Sequence, residues 1–172
     1  MSKSAAIIKG DGTGPELVDA MVNVLQECNS KIKLIPCDAG SEWWSKNGGT
    51  SYISDEVWNL LENSDACFKG PTTTIPTPNA PRSVAVSIRQ RFNLYANVRP
   101  IKTYKNSTRQ LDFICIREAT EGLYSGIEFK IGVDAAIAVR KITKKSCENV
   151  VRHGFRVARE MKFSKIYVIT KR

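Results

Sequence analysis

The stretch SAAIIKGDGTGPELVDAMVNVLQEC, residues 4–28, reads as a strand, a glycine-rich turn and a helix in immediate succession. Residues 4–8 form an apolar run of the length expected for a buried strand. Gly10-Asp11-Gly12-Thr13-Gly14-Pro15-Glu16 then turns the chain. Thr13 and Glu16 stand at capping-box spacing, and Pro15 falls in the first helical turn, where its missing N–H does little harm. The helix is expected to run to about Cys28, with Leu17, Met21, Val24, Leu25 and Cys28 on one face. A strand feeding a helix through a tight turn points to an α/β fold. The turn also invites a nucleotide reading, because helix N-termini attract phosphate. GDGTGP lacks the G-x-G-x-x-G register, however, and no acidic ribose partner follows a second strand, so taken alone the turn is equally a simple chain reversal.

Working outward, Lys31 to Pro36 reads as a second strand, and residues 40–49 carry Trp43 and Trp44 ahead of a glycine pair. Tryptophans can stack a base, but no basic-aromatic alternation surrounds these two, which favours packing. SDEVWNLL, residues 54–61, opens with a cap and acids in its first turn and reads as a short helix. Ala66 to Phe68 is a short strand leading into Lys69-Gly70-Pro71-Thr72-Thr73-Thr74. That polar segment suits either a cleft loop beyond a strand's carboxyl end or an ordinary loop of turn residues. After a proline-rich segment at 76–81, Val84, Ile88 and Phe92 mark one side of a short helix. LYANV, residues 94–98, suits a strand, with Pro100 expected to end it.

Farther on, LDFICI (111–116) reads as a strand, and residues 126–142 alternate in part, as a hairpin-like pair does. Thr143 is expected to cap a helix through Met161 whose apolar face holds Cys147, Val150, Val151, Val157, Ala158 and Met161, with His153 off that face and unsuited to catalysis. Ser164 to Thr170 reads as a final buried strand. No internal repeat or low-complexity tract is present.

Composition bounds the function. At 172 residues and 42% apolar content the chain can bury a real core. The 26 lysines and arginines against 17 acids give a formal charge of +9, compatible with nucleic acid, an acidic metabolite or part of a larger charge distribution. The cations are scattered, KITKK at 141–145 being the one tight cluster, and no nucleic-acid motif accompanies them, so no nucleic-acid partner is expected. Five cysteines show neither C-x-x-C spacing nor an even framework, which fits a reducing compartment. No run approaches the ~20 apolar residues of a membrane span, and the apolar run near the N-terminus is too short for a signal peptide. A soluble cytoplasmic protein is expected, without a membrane partner.

The candidate chemistry sits on arginines at element ends. Arg89 closes the short helix, Arg99 closes LYANV, and Arg117 follows LDFICI. A guanidinium offers a fixed fork of donors that carboxylates match, so three such residues together favour a polyanionic small molecule over three solvated surface charges. In order along the chain, GDGTGPE, Arg82-Ser83, Ile88-Arg89, LYANVRP and REATEGLYSG resemble the isocitrate and isopropylmalate dehydrogenase family, the metal-dependent β-decarboxylating dehydrogenases. The resemblance runs the whole length of the chain.

It implies a layered α/β sheet of the isopropylmalate/isocitrate dehydrogenase kind, truncated, since such enzymes continue well past the position of Arg172. Residues 1–99 would belong to the larger, nucleotide-side domain, and residues 100–172 to the smaller domain with the clasp, where two subunits join sheets. Arg89, Arg99 and Arg117, with Ser83, correspond to substrate-binding residues. Tyr124 corresponds to the tyrosine that supplies a proton to the enol, and Lys171 to the lysine that serves in proton removal. Gly12, Thr13, Thr73 and Thr74 would line the cleft near the nicotinamide. The implied cofactors are NAD or NADP and Mg2+ or Mn2+, with the metal ligands and the adenosine loop expected beyond this chain; the polypeptide alone would then have no turnover. A homodimer or larger homo-oligomer is implied for the complete protein.

Three departures stand out. Ala85 replaces the family's asparagine after the substrate serine; KGPTTTIP carries an extra residue before its proline; and the metal aspartates are absent. Ser83 and TEGLYSG look isocitrate-like, and Val86 stands where homoisocitrate enzymes carry an arginine. The expected substrate is therefore isocitrate, oxidatively decarboxylated to 2-oxoglutarate. The alternatives are 3-isopropylmalate or homoisocitrate and, from another class, a non-catalytic subunit or a basic binding module.

Overall fold

Three parallel strands in the order β2-β1-β3 form the first sheet of the computed structural model, which describes residues 3–77 and 80–170. The chain divides into two compact units, Met1–Ser87 and Ile88–Arg172. In the first, β1 (Ser4–Ile8) pairs with β2 (Lys33–Cys37) on one side and β3 (Ala66–Lys69) on the other. As the central strand it is buried on both faces, which is why SAAII is continuously apolar rather than alternating: Ala5 to Ile8 are all buried. A fully buried aliphatic side chain contributes about 1.5–3 kcal/mol, so Ile7 and Ile8 anchor the sheet.

Helix α1 (Gly14–Glu27) covers one face, but not by the expected stripe. Val18 is buried, and Met21 and Val22 pack with it against Ala5, Ile7 and Leu34, while Leu17, Val24 and Cys28 are exposed. The helix has two apolar stripes that share Met21 and Leu25, and the sheet selects the one rotated a residue from Leu17 and Val24. The capping box does not form either. Thr13 takes helical dihedrals and its side chain makes no cap, and the Gly14 N–H donates instead to the Asp11 carbonyl at 2.9 Å.

A helix not evident in the sequence, α2 (Ser41–Asn47), carries the tryptophan pair. Trp44 meets Tyr52 edge to face at 5.7 Å and donates to the Gly49 carbonyl, a packing role. Helix α3 (Asp55–Glu62) begins as expected, the Ser54 hydroxyl accepting the Val57 N–H. Helix α4 (Val84–Arg91) starts behind Ser83, whose Oγ accepts the Val86 N–H at 3.3 Å.

The second unit holds two antiparallel pairs, β4 (Ala96–Lys102) with β5 (Asp112–Glu118), and β6 (Gly122–Ile131) with β7 (Ala135–Lys141). Pro100 does not end β4, which continues to Lys102. A proline is tolerated because the sheet has only two strands, so alternate backbone positions have no ladder partner to lose. Helix α5 (Lys144–Glu160) is capped by Thr143, whose Oγ1 accepts the Ser146 N–H at 3.2 Å. Its inward face is Ser146, Asn149, Val150, His153, Val157 and Ala158, leaving Cys147, Val151 and Met161 exposed. His153 is thus not off the packed face; its ring stands edge-on to Tyr95 at 6.1 Å. Polar Ser146 takes the inward place instead of Cys147 because β5 offers it the Glu118 carboxylate. Residues 164–170 form no strand, and Tyr167, Val168 and Ile169 are exposed. A strand exists only against a partner, and no described strand edge pairs with this one.

Candidate active site

In the second unit β5 sends its side chains alternately to two faces. Ile114, Ile116 and Glu118 are part-buried and point one way, while Phe113, Cys115 and Arg117 are exposed on the other. The β4 register places Asn97 opposite Arg117 and Arg99 opposite Cys115, so Arg99 lies diagonally across from Arg117 on one sheet face. Arg99 donates from Nε to Asn97 Oδ1 at 3.0 Å, which fixes the plane of its guanidinium.

Tyr124 is the centre of this cluster. The Arg117 guanidinium carbon lies 5.6 Å from the phenol ring centroid and that of Arg89, from the last turn of α4, lies 5.9 Å from it. Both distances fall within cation–π range. Two like charges on one half-buried ring repel each other, and an anion placed between them relieves that repulsion with a phenolic O–H at hand. The Gln90 amide donates to the Tyr124 carbonyl at 2.8 Å, so the residue beside Arg89 holds the same tyrosine by its backbone. Neither Gln90 nor Asn97 carried a sequence signal of its own, although each sits within two residues of a singled-out arginine.

The loop between Arg117 and Tyr124 is stapled to α5 by two carboxylates. Glu118 Oε1 accepts the Thr120 N–H and O–H at 2.8 and 2.6 Å and the Ser146 O–H at 3.1 Å, and Oε2 accepts the Glu121 N–H at 2.9 Å. Glu121 accepts from the Thr143 N–H and O–H at 2.7 and 2.8 Å. Burial pushes the Glu118 carboxyl up, but the donors from Thr120, Glu121 and Ser146 outweigh it and hold the group below its ordinary value of 4.5. Its contribution to stability is therefore complete above 4.5, where the unfolded chain is also ionised, and is lost as pH falls through the lower folded value. Glu118→Gln, which cannot titrate, is expected to flatten the fall in unfolding midpoint below about pH 4.5, measured by denaturant titration at stepped pH. An unchanged slope would show that the staple is not felt.

The other candidate residues lie in the first unit, at the carboxyl ends of β1 and β3. Asp11, 4% exposed, accepts three backbone N–H groups: Ser41 at 3.1 Å, Glu42 at 2.9 Å and Thr73 at 2.7 Å. It thereby caps α2 from thirty residues away and ties that helix, the glycine turn and the threonine loop together. Gly40 (φ +128) has to be glycine, since a Cβ would sit 2.5 Å from Asp11 Oδ2. Gly10 (φ +79) is equally constrained, by the Pro71 carbonyl at 1.9 Å. The Tyr52 hydroxyl accepts the Ile75 N–H at 3.0 Å, so Thr74 is exposed between two pinned residues, and Thr73 and Thr13 are exposed beside it. The Gly12 N–H donates to Glu42 Oε1 at 2.9 Å. Three of the turn's amides, those of Asp11, Gly12 and Gly14, are spent on the Pro71 carbonyl, Glu42 Oε1 and the Asp11 carbonyl, while Thr13, Thr73 and Thr74 are exposed.

Lys171 lies outside the described residues. Among the described residues, no three His, Cys, Asp or Glu side chains converge to hold a metal ion. No described helix is long and apolar enough to cross a membrane. Charge divides sharply between the units: 19 of the 26 lysines and arginines and 7 of the 17 acids fall in residues 88–172, the unit with the arginine cluster. That surplus steers anions toward it.

The family model described as isocitrate/isopropylmalate dehydrogenase matches residues 4–172. The chain is 32% identical over 169 residues to the isocitrate dehydrogenase [NADP] of Rickettsia typhi, covering 96% of this chain and 35% of that one. It is 35% identical over 159 residues to the 3-isopropylmalate/3-methylmalate dehydrogenase of Methanocaldococcus jannaschii, with 91% and 46% covered. The crystal structure of isocitrate dehydrogenase from Methylococcus capsulatus superposes with a TM-score of 0.85 at 35% identity, covering 93% of this chain and 48% of that one. The chain thus spans less than half the length of these relatives.

Proposed function

Because the chain belongs to the isocitrate/isopropylmalate dehydrogenase family, we propose that its arginine-tyrosine cluster binds isocitrate for oxidative decarboxylation to 2-oxoglutarate with reduction of NAD or NADP. The observation that carries the reading is the pair of guanidinium groups on one phenol, Arg89 and Arg117 on Tyr124. In the proposed division of labour, Arg89, Arg99 and Arg117 hold substrate carboxylates and Ser83 adds a hydroxyl. Lys171 accepts the hydroxyl proton as the carbinol is oxidised. A bound nicotinamide would supply the acceptor for the hydride that leaves the carbinol carbon. The resulting β-keto acid loses carbon dioxide, leaving its electron pair as an enolate, and Tyr124 gives that carbon its proton. Gly12, Thr13, Thr73 and Thr74 contact the nicotinamide end of the cofactor. Residues 1–99 serve the nucleotide-side domain, and residues 100–172 serve the smaller domain. There the β6–β7 hairpin, with Ile127, Phe129 and Ile137 exposed, joins a second subunit in the complete protein.

The test is calorimetric titration of the chain with isocitrate, 3-isopropylmalate and acetate. Saturable isocitrate binding is expected, weakening by at least ~10-fold between about 50 and 500 mM salt as the charges are screened. Absence of saturable binding, or equal heats with acetate, would overturn the assignment. Tighter binding of 3-isopropylmalate would transfer it to the second reading, which the 35% identity to the Methanocaldococcus jannaschii protein favours.

A further inference from the structure

Tyr124 sits where the β6–β7 ladder breaks. Gly122 pairs with Lys141 and the next paired residue is Ile127, opposite Val139, so the register slips across residues 123–126. Gly122 and Gly126, both at positive φ (+68 and +64), bound the slipped segment. Within it the main chain has no ladder to set its position. The Tyr124 N–H donates to the Glu121 carbonyl at 3.3 Å, a long bond within its own turn, while its carbonyl takes the Gln90 Nε2 donor at 2.8 Å. Gln90 follows Arg89 in α4, so one helical turn presents a guanidinium to the ring and an amide to the backbone of the same tyrosine.

We propose that Gln90 is a positioning residue: its side-chain amide replaces the missing ladder bond and sets where the Tyr124 phenol stands relative to Arg89 and Arg117. The proposal rests on the reading of Tyr124 as the proton donor for an arginine-bound carboxylate, but its geometry can be tested separately. The Ser125 hydroxyl ties the far end of the segment to the Gly122 and Val139 carbonyls at 2.9 and 3.4 Å, so without the Gln90 bond it is Leu123 and Tyr124 that are free to rock, and the phenol samples several positions. A group that acts by hydrogen bonding is distinguished from one that merely fills space by an isostere without a donor, Gln90→Met, and by a variant that restores a donor, Gln90→Lys.

The experiment uses the chain labelled with 3-fluorotyrosine, the residue-124 fluorine resonance being assigned by Tyr124→Phe. Gln90→Met is expected to broaden or split that resonance and to weaken isocitrate binding ~3–10-fold, as loss of one hydrogen bond does. Gln90→Lys should return a single resonance. The resonance of Tyr95, which packs against His153 in the same unit, should stay as in wild type in each variant, confirming that folding is intact. A Gln90→Met spectrum with the Tyr124 signal unchanged overturns the proposal, as does a Gln90→Lys spectrum still broadened while Tyr95 is native. If isocitrate leaves the wild-type Tyr124 resonance unmoved, the substrate reading falls, and the comparison of ligand-free variants still decides the role of Gln90.

Discussion

Arg117→Ala is expected to weaken isocitrate binding by about 10- to 100-fold, the cost of removing one charge-assisted, two-pronged contact to a carboxylate. Arg117→Lys keeps the charge and loses the fork. It should recover only part of that affinity, because an ammonium meets a carboxylate as a point charge. Arg89→Ala should behave similarly. The double variant should lose less than the two single losses combined, since both guanidinium groups lean on the Tyr124 ring at 5.6 and 5.9 Å and removing one frees the other to move. Calorimetric titration at low salt measures all four. Additive losses would mean that the arginines act as independent surface charges, and a change below about twofold for Arg117→Ala would remove it from the site.

The largest loss of stability is expected at Asp11. Its carboxylate satisfies three buried or half-buried backbone donors contributed by two segments that are not neighbours in sequence. Asp11→Ala leaves those amides without an acceptor at a place where the carboxylate is 4% exposed and water enters poorly. Each unsatisfied buried donor costs about 1–3 kcal/mol, so a net loss of about 3–5 kcal/mol follows once partial relaxation is allowed. Asp11→Asn should cost less than alanine but remain destabilising, because an amide has one acceptor oxygen and the three donors address both oxygens of the carboxylate. Trp43, Trp44 and Trp58 all lie in the first unit, so tryptophan fluorescence during denaturant unfolding reports this unit alone. A midpoint shift equivalent to less than about 1 kcal/mol for Asp11→Ala would show that the three loops hold together without it.

Arg117 stood out in the sequence because it ends a strand-like run and opens a distinctive motif, REATEGLYSG. Asp11 lies inside the glycine turn and carries no local signal, because its work is done on residues 41, 42 and 73. The same fact explains why α2 was not expected. A seven-residue helix whose own N-cap is Gly40 has no local start signal, and its cap comes from residue 11.

By itself the sequence determined most of the alternation of strands and helices and the family, and it singled out Arg89, Arg117 and Tyr124, which the fold brings together, because these depend on residue types at short spacings that any conformation must respect. Tertiary structure decided which stripe of α1 and which face of α5 turn inward, whether Pro100 ends its strand, and whether residues 164–170 become a strand at all. In each of those cases the sequence offers two or more locally acceptable arrangements. A partner element chooses between them: a sheet face that accepts Val18 and Val22, a Glu118 carboxylate that accepts Ser146, or a strand edge that is or is not there to be paired. Periodicity and propensity are local, whereas burial and hydrogen-bond satisfaction are properties of pairs of elements, and only the folded chain brings the pairs together.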